Sequence, residues 1–329
     1  MLHVIGIEST AHTFSVSVVS GAGRILSNQK NVYAPDKGSG IHPLEASRSH
    51  AENAPSVIRR ALDESGLGWN DISAVCYSKG PGLGPCLRVG AVAARTIAAR
   101  MGLPLVPVNH AVGHIELGCL LTGLRDPVVL LVSGGHTMVV SHSSGRWRIL
   151  GETLDLTLGQ LFDQFGRHSG LSSPCGPVVE SEARKSSKYL PLPYVVKGND
   201  VSFSGMLTAA KSMVDDGAAF ADVAFSIQET AFAMMTEVTE RAVAFTGKRE
   251  AMIVGGVAAN VRLSRMMTTM ARRRGVVVKG VPPGFSGDCG AQIAWTGYLG
   301  FKEGEVVDLK SSEVRQSWRL DTVDTPWRN

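Results

Sequence analysis

The sequence predicts an α/β protein of two lobes, each a mixed sheet flanked by helices, with the second lobe repeating the plan of the first. Three observations predict this. Residues up to about 127 pass through three strand patterns and then helix, strand, helix, strand, helix, and near Asp126 and Pro127 the series begins again. In both halves a strand reaches small residues, turns at a threonine and returns, early at Ile7, Glu8, Ser9 and Thr10 and later from Val132 through Ser133, Gly134, Gly135 and His136 to Thr137. Beyond that the chain alternates helix and strand, which buries mixed sheets under helices. The repeat is too degenerate for a solenoid. It places the lobes at residues 1–127 and 128–329, with the last helix expected to pack back on the first lobe.

Taken in order, the period-two patterns predict strands over Val4 to Ile7, Phe14 to Val19 and Arg24 to Asn31. A Pro- and Gly-rich loop from Ala34 to Pro43 leads to a helix over about Leu44 to Ser65, a strand over Ala74 to Ser78 and a helix over Leu87 to Met101. Leu105 to Val108 is a buried strand, and the next helix carries His110 and His114. In the second half, Val128 to Val132, His136 to Ser141 and Arg146 to Gly151 are strands, followed by helices over Leu158 to His168 and Pro177 to Lys185. Helices are then expected over Gly205 to Asp215, within Phe220 to Phe245, over Ala259 to Arg274 and over Gly290 to Glu303, with strands at Ala251 to Val254 and Val276 to Lys279. The run Arg272 to Arg274 closes a helix, where cations complement the dipole.

A chain of 329 residues, 44% hydrophobic, can bury two ordinary cores. Its net charge of +4, from 33 basic and 29 acidic side chains, permits a nucleic-acid partner without demanding one. No apolar run approaches the ~20 residues of a membrane span. The five cysteines are odd in number and form no Cys-x-x-Cys pair, which argues against a disulfide framework or a thiolate zinc site and fits a reducing cytoplasm.

Three turns of small residues bear on chemistry. At the two hairpin tips small residues let backbone N–H groups approach an anion, and the second is the stronger candidate because Gly134 and Gly135 have no Cβ in the way. The third turn, Gly255 and Gly256 leading to Asn260, runs from strand into helix and points a positive helix end above the sheet. His110 and His114, four apart, share one helix face and could chelate one cation, or be a buried structural pair. Ala111, Val112 and Gly113 lie between them where a metalloprotease needs Glu, so no general base is built in. Asp288, at a loop-to-helix junction, is a third ligand or an N-cap.

Read together, Gly6 to His12, Gly80 to Gly84, Asn109 to Glu116, Ser133 to Thr137, Ser202 to Gly205, Gln228 to Thr230, Gly255 to Asn260, Gly287-Asp288 and Val314 to Gln316 resemble the universal tRNA threonylcarbamoyl transferase family. That family comprises bacterial TsaD and the catalytic subunit of the archaeal and eukaryotic KEOPS complex, and the resemblance is nearest to the archaeal branch. It implies the actin, sugar kinase and Hsp70 (ASKHA) fold. It also implies transfer of threonylcarbamoyl from threonylcarbamoyl-AMP to N6 of the adenosine 3′ of the anticodon, in tRNAs reading codons that begin with A. By the same resemblance His110, His114 and Asp288 hold one divalent metal, iron or zinc. Leu131, Val132, Ser133, Gly134, Gly135, Asp163, Gly176, Glu180 and Asn260 would form the adenylate pocket, which an ATP- or AMP-type nucleotide can also occupy. Glu8, Ser9, Thr10, His136, Thr137, Gly255 and Gly256 would lie near the phosphates. Implied partners are tRNA and KEOPS-type subunits: a small dimerising subunit, an atypical kinase and a further regulatory subunit.

The chain departs from the family pattern at Leu131, where archaeal members usually carry a Tyr able to join the metal shell. It departs also at His136, at Cys175 in place of a glycine, and at Cys289 in place of a frequent Asn. The competing readings are a plain actin-fold ATPase or sugar kinase, a zinc peptidase, and a nucleotide-regulated scaffold without chemistry of its own. Glu8, where the kinases commonly use Asp, and the paired histidines speak against the first of these.

Overall fold

The computed structural model describes residues 2–36 and 38–328, so Met1, Asn329 and, within the expected Pro- and Gly-rich loop, Lys37 lie outside the described residues. In chain order the elements of the first half are β1 (His3–Glu8), β2 (Thr13–Ser20), β3 (Ile25–Val32), α1 (Pro43–Ser65), β4 (Ala74–Gly80), α2 (Gly84–Met101), β5 (Leu105–Asn109) and α3 (His110–Thr122). The second half begins with β6 (Val128–Val132), β7 (Thr137–Ser143), β8 (Arg146–Glu152), α4 (Leu158–His168), α5 (Gly176–Ala183), β9 (Val196–Lys197), β10 (Asp200–Val201) and α6 (Ser204–Asp215). It continues with α7 (Phe220–Thr246), β11 (Glu250–Val254), α8 (Val261–Arg274), β12 (Val277–Gly280), the short α9 (Pro283–Ser286) and α10 (Gly290–Lys302).

The two large sheets have one design. The first runs β3-β2-β1-β4-β5 and the second β8-β7-β6-β11-β12, each an antiparallel meander continued by two parallel strands. Alternation decides the faces. In β1, Ile5 and Ile7 pack with Val57, Ala61, Ala91 and Ala94 of α1 and α2, while Val4 points the other way, into the layer holding Ala291 and Ile293 of α10. The second sheet is covered on one face by α4 to α8, with Phe165, Phe203 and Phe232 at the centre of that core.

Between the sheets stand α3 and α10. Ala111, Val112 and Ile115 of α3 pack on Leu131, Met252 and Val254 of the second sheet, whereas Leu117 packs on the first. A helix enclosed from two sides carries apolar residues all round. The α10 helix lies against β1, β2 and β4, and glycine permits the approach: a Cβ on Gly6 would sit 2.2 Å from the Ala294 nitrogen, and one on Gly290 would sit 2.4 Å from the Ser17 nitrogen.

Two of the differences from the sequence expectation have a plain physical reason. The helix expected from Ala259 begins at Val261, because Gly256–Ala259 forms a separate 3-10 turn. The segment after α10 also forms 3-10 turns and runs along both sheets, with Val307 bridging Leu105 and Asp324 bridging Arg146. Its sequence has neither strand nor helix period, so only the surfaces it meets order it. Among the described residues no helix is long and apolar enough to cross a membrane.

Candidate metal and nucleotide site

The site is built at the start of α3. Asn109 caps that helix, its side-chain oxygen accepting from the N–H groups of Ala111 (3.0 Å) and Val112 (3.1 Å), which fixes His110 in the first turn and His114 one turn on. Asp288 faces them from the loop before α10. Cys289, not Asp288, occupies the N-cap of α10, so the carboxylate is not spent on capping.

His110 Nε2 lies 3.6 Å and His114 Nε2 3.2 Å from Asp288 Oδ1, and one ligand atom from each of the three residues lies within 4.8 Å of the others. The rings meet edge to face with centroids 4.7 Å apart. On its other side His110 Nδ1 donates to Glu8 Oε2 at 2.9 Å, with Thr10 Oγ1 at 3.2 Å and the Gln292 amide at 3.0 Å. Glu8 thereby sets the tautomer and aims Nε2 at Asp288. Glu8 Oε1 also accepts from the Thr10 N–H at 2.6 Å, which locks the first hairpin to the same carboxylate.

Charge follows from these contacts. Burial would lower the His110 pKa, but the charge and hydrogen bond of Glu8 and the charge of Asp288 win and push it up to about 9. For His114 burial wins, against the hydrogen bond of Asp288, and its pKa falls. Burial of part of the Asp288 side chain opposes ionisation, but its carboxyl is held well below the usual carboxylate range by the His114 hydrogen bond and the charges of His110, His114 and His12. His136 stacks on His110 with centroids 6.0 Å apart, and its buried Nδ1 has no partner. Burial and the neighbouring imidazoles lower its pKa to about 3.

Two imidazoles, one carboxylate and a neutral unpartnered imidazole beside them are a donor set that fits iron or zinc. Leu131 contributes nothing to such a shell. It is fully buried among the apolar residues under α3.

The other expected site residues divide. Gly134 and Gly135 are exposed with open space about them, while Val132 is a core residue. The Gly135 and His136 N–H groups, expected to face an anion, instead donate to Ser133 Oγ at 3.2 and 3.0 Å. Thr137 is buried and accepts from the Leu158 N–H at the start of α4 (2.7 Å), a capping role. Ser9 is turned inward, its hydroxyl 2.1 Å from where a Gly90 Cβ would stand, and so points away from the histidines.

The helix end after Gly255 and Gly256 is also not an open anion site. The N–H of Val261 donates to Glu180 (3.1 Å), and those of Arg262 (2.8 Å) and Leu263 (3.2 Å) donate to Asn260. The Asn260 amide, expected to reach a nucleotide, donates instead to Gln228 at 3.0 Å. Gly255 has φ +93° and packs on the Val132 carbonyl, 2.3 Å from its would-be Cβ, whereas Gly256 is exposed. Asp163 accepts from Ser173 (2.6 Å), Arg167 (2.9 Å) and the Cys175 N–H (3.2 Å), and so holds the turn that presents Gly176 in open space. Cys175 and Cys289 are buried thiols, each with its pKa raised by burial to about 12.

Gln292 is a neighbour of His110 that the sequence reading missed. Its signal was position: four residues after Asp288 on α10, it faces α3 at Gly113.

This architecture, two duplicated lobes around a central helix bearing a metal-competent cluster, defines a protein of the actin-like ATPase fold. The likeness extends to HypF from T. kodakarensis (TM-score 0.62, 14% identity, 92% of this chain and 48% of that one). It extends also to component A of the (R)-2-hydroxyglutaryl-CoA dehydratase of Acidaminococcus fermentans (TM-score 0.56, 12% identity, 91% and 98%).

The sequence profile of the TsaD family, tRNA N6-adenosine threonylcarbamoyltransferase, matches residues 22–295, and the chain belongs to that family. Proteins of that name in Caldivirga maquilingensis (48% identity; 98% of this chain, 98% of the relative) and Thermofilum pendens (48%; 100% and 98%) are similar over their whole lengths. A probable bifunctional tRNA threonylcarbamoyladenosine biosynthesis protein of Methanothermobacter thermautotrophicus is 49% identical over 98% of this chain, which covers 60% of that longer protein.

Proposed function

We propose that this chain is a tRNA N6-adenosine threonylcarbamoyltransferase, which moves the threonylcarbamoyl group from threonylcarbamoyl-AMP to the N6 amine of the adenosine 3′ of the anticodon in tRNAs reading codons that begin with A. The observation that carries the reading is near-half identity along the whole chain to transferases of that name. His110, His114 and Asp288 would hold one iron or zinc ion. When bound, the ion supplies positive charge for the phosphate and carbonyl oxygens of the adenylate. Glu8, through His110 Nδ1, keeps Nε2 directed at that position.

The exposed tip at Gly134 and Gly135 lets phosphate approach the backbone, and Gly176 does the same for the sugar or base. Asp163 and Glu180 would accept ribose hydroxyls by exchanging bonds now made to Ser173 and Arg167, and to Arg184 and the Val261 N–H. The N6 amine attacks the carbamoyl carbon and gives up one proton, the bond from that carbon to the phosphate oxygen breaks, and AMP leaves with the bonding electron pair. Positioning and fixed charge carry the acceleration. We further propose cytoplasmic action, a lobe division at 127/128, and assembly with KEOPS-type subunits, namely a small dimerising subunit, an atypical kinase and a regulatory subunit. The longer bifunctional relative supports a second activity working beside this one.

Mass spectrometry of tRNA incubated with the chain, threonylcarbamoyl-AMP and those subunits tests the reading. Threonylcarbamoylated adenosine is expected next to the anticodon only in tRNAs reading codons that begin with A. An unmodified tRNA pool would overturn it.

A further inference from the structure

The segment after α10 runs along the β5 edge of the first sheet toward the histidines. Val307 bridges Leu105 at the start of β5, and the Ser312 carbonyl accepts from the Tyr77 hydroxyl at 3.1 Å and from Arg95. Further on, the Arg315 N–H donates to the Lys79 carbonyl at 2.7 Å, and the Gly82 N–H donates to the Gln316 carbonyl at 3.1 Å. The Asn109 amide donates to the Trp318 carbonyl at 3.1 Å. Asn109 caps the helix that begins with His110, so this strap ends beside the candidate site.

Cations gather along the strap. Val75 and Tyr77 of β4 pack into the core under α1 and α2, and alternation sends Lys79 to that same face. Lys79 is only 7% exposed, yet among the described residues its ammonium makes no ion pair or hydrogen bond. Arg95 of α2 bonds to the Ser312 hydroxyl (2.6 Å) and carbonyl, both uncharged. The Arg315 side chain is 57% exposed and lies 3.8 Å from Glu313. Burial lowers the Lys79 pKa, Glu313 raises it, and the charges of Arg315 and Arg95 lower it further. The Glu313 pKa is lowered first by its own backbone N–H and then by Lys79, Arg315 and Arg95. The four groups therefore form one cluster, three cations against a single exposed acid. Lys79, Pro107, Asn109, Arg315 and Trp318 all line a cavity of about 340 Å³, so the ammonium is reached from outside.

A buried ammonium without a counter-charge costs folding free energy, and an anion arriving from outside removes that cost. Resting on the transferase reading above, we propose that Lys79 and Arg315 seat the phosphate backbone of the tRNA beside the adenosine that is modified, with Arg95 fixing the strap that carries Arg315. A nucleic-acid strand bears a charge at every nucleotide, so the two cations need not share one phosphate. Position favours this occupant over a free anion. Gly80 pairs with Asn109 in the sheet, which sets Lys79 one residue from the strand position that adjoins His110. The exposed Arg315 side chain lies where a macromolecule can meet it.

The salt dependence of tRNA binding tests this, measured on the full chain with the subunits named above and a tRNA reading codons that begin with A. The slope of log affinity against log salt should become shallower by about 0.7–0.9 in Lys79→Gln and in Arg315→Gln, one phosphate contact each. Lys79→Arg should keep the native slope. Arg272→Gln, which removes an exposed cation in the last turn of α8, should leave it unchanged. Native slopes in both Lys79→Gln and Arg315→Gln overturn the proposal. So does an equal change in Arg272→Gln, which would make the effect one of net charge. Inorganic phosphate that competes better than chloride at matched ionic strength, and loses that advantage in Lys79→Gln, would assign the cavity to a free anion and equally overturn it. Arg315 is exposed, so its variant decides the matter even where Lys79→Gln does not fold. Unchanged slopes with threonylcarbamoylated tRNA still formed would sink this seat alone, whereas no product from the native chain would sink the transferase reading and the seat with it.

Discussion

His110 shows how one side chain is specified from both ends. Its Nε2 converges with His114 and Asp288, and its Nδ1 is held by Glu8. Removing a candidate metal ligand and removing the partner that orients it should therefore differ in degree. In His110→Ala and Asp288→Ala, metal measured by mass spectrometry on the purified protein should fall to a small fraction of the native content, and full retention in both would refute the assignment. Glu8→Gln keeps the size but loses the charge and should weaken metal binding by about 10–100-fold, read by chelator competition.

Three residues expected near the nucleotide make other contacts in this structure, for one reason. Ser9, Thr137 and Asn260 stand in the right motifs, but their polar atoms serve the backbone around them or turn inward. A motif specifies residue type and neighbourhood along the chain, while the direction of a side chain depends on what packs across from it.

At the level of elements, caps and buried turns carry the energetics. Asn260→Ala removes two capping bonds from α8 and strands Gln228, so stability to urea should drop by about 0.5–2 kcal/mol from the cap alone. Gly255→Ala should cost more, since it combines a left-handed φ with a clash against the Val132 carbonyl.

Asp155 organises the start of α6. It accepts from Ser202 Oγ (2.6 Å), the Phe203 N–H (2.8 Å) and Ser204 Oγ (2.7 Å). Partial burial opposes ionisation, but these bonds, with one from the Leu156 N–H, hold its carboxyl well below the usual range. A carboxyl depressed in the folded state stabilises the fold above its unfolded value of about 3.9 and loses that contribution as pH falls through it. Asp155→Asn should accordingly lower the melting temperature at pH 7, and the gap to the native protein should close as pH drops below about 4. A gap that stays constant down to pH 2 would contradict this.

Over the whole molecule, the C-terminal segment ties the halves together. Arg328 makes two bonds to the buried Glu116 of α3, at 2.6 and 2.7 Å, and lies 4.6 Å over the Trp147 ring of β8. Arg328→Met leaves the Glu116 carboxylate buried beside Trp147 without its counter-charge, which should cost about 3–5 kcal/mol in denaturant unfolding. Adding Glu116→Gln should recover most of that loss. If the double variant were as unstable as the single one, packing rather than charge would explain the effect.

The sequence by itself determined the fold class, the strands and helices of both sheets, and the family, because hydrophobic period, glycine punctuation and ordered motifs are local properties. It also named His110, His114 and Asp288, though His114 and Asp288 are 174 residues apart and nothing local brings them together. Only the tertiary structure decided that α3 is enclosed between two sheets, that Glu8 and Gln292 close on His110 from separate elements, and that Leu131 lies in the apolar core beneath it. The order of the last 25 or so residues belongs to that second group, since a segment without periodicity takes its shape from the surfaces it meets.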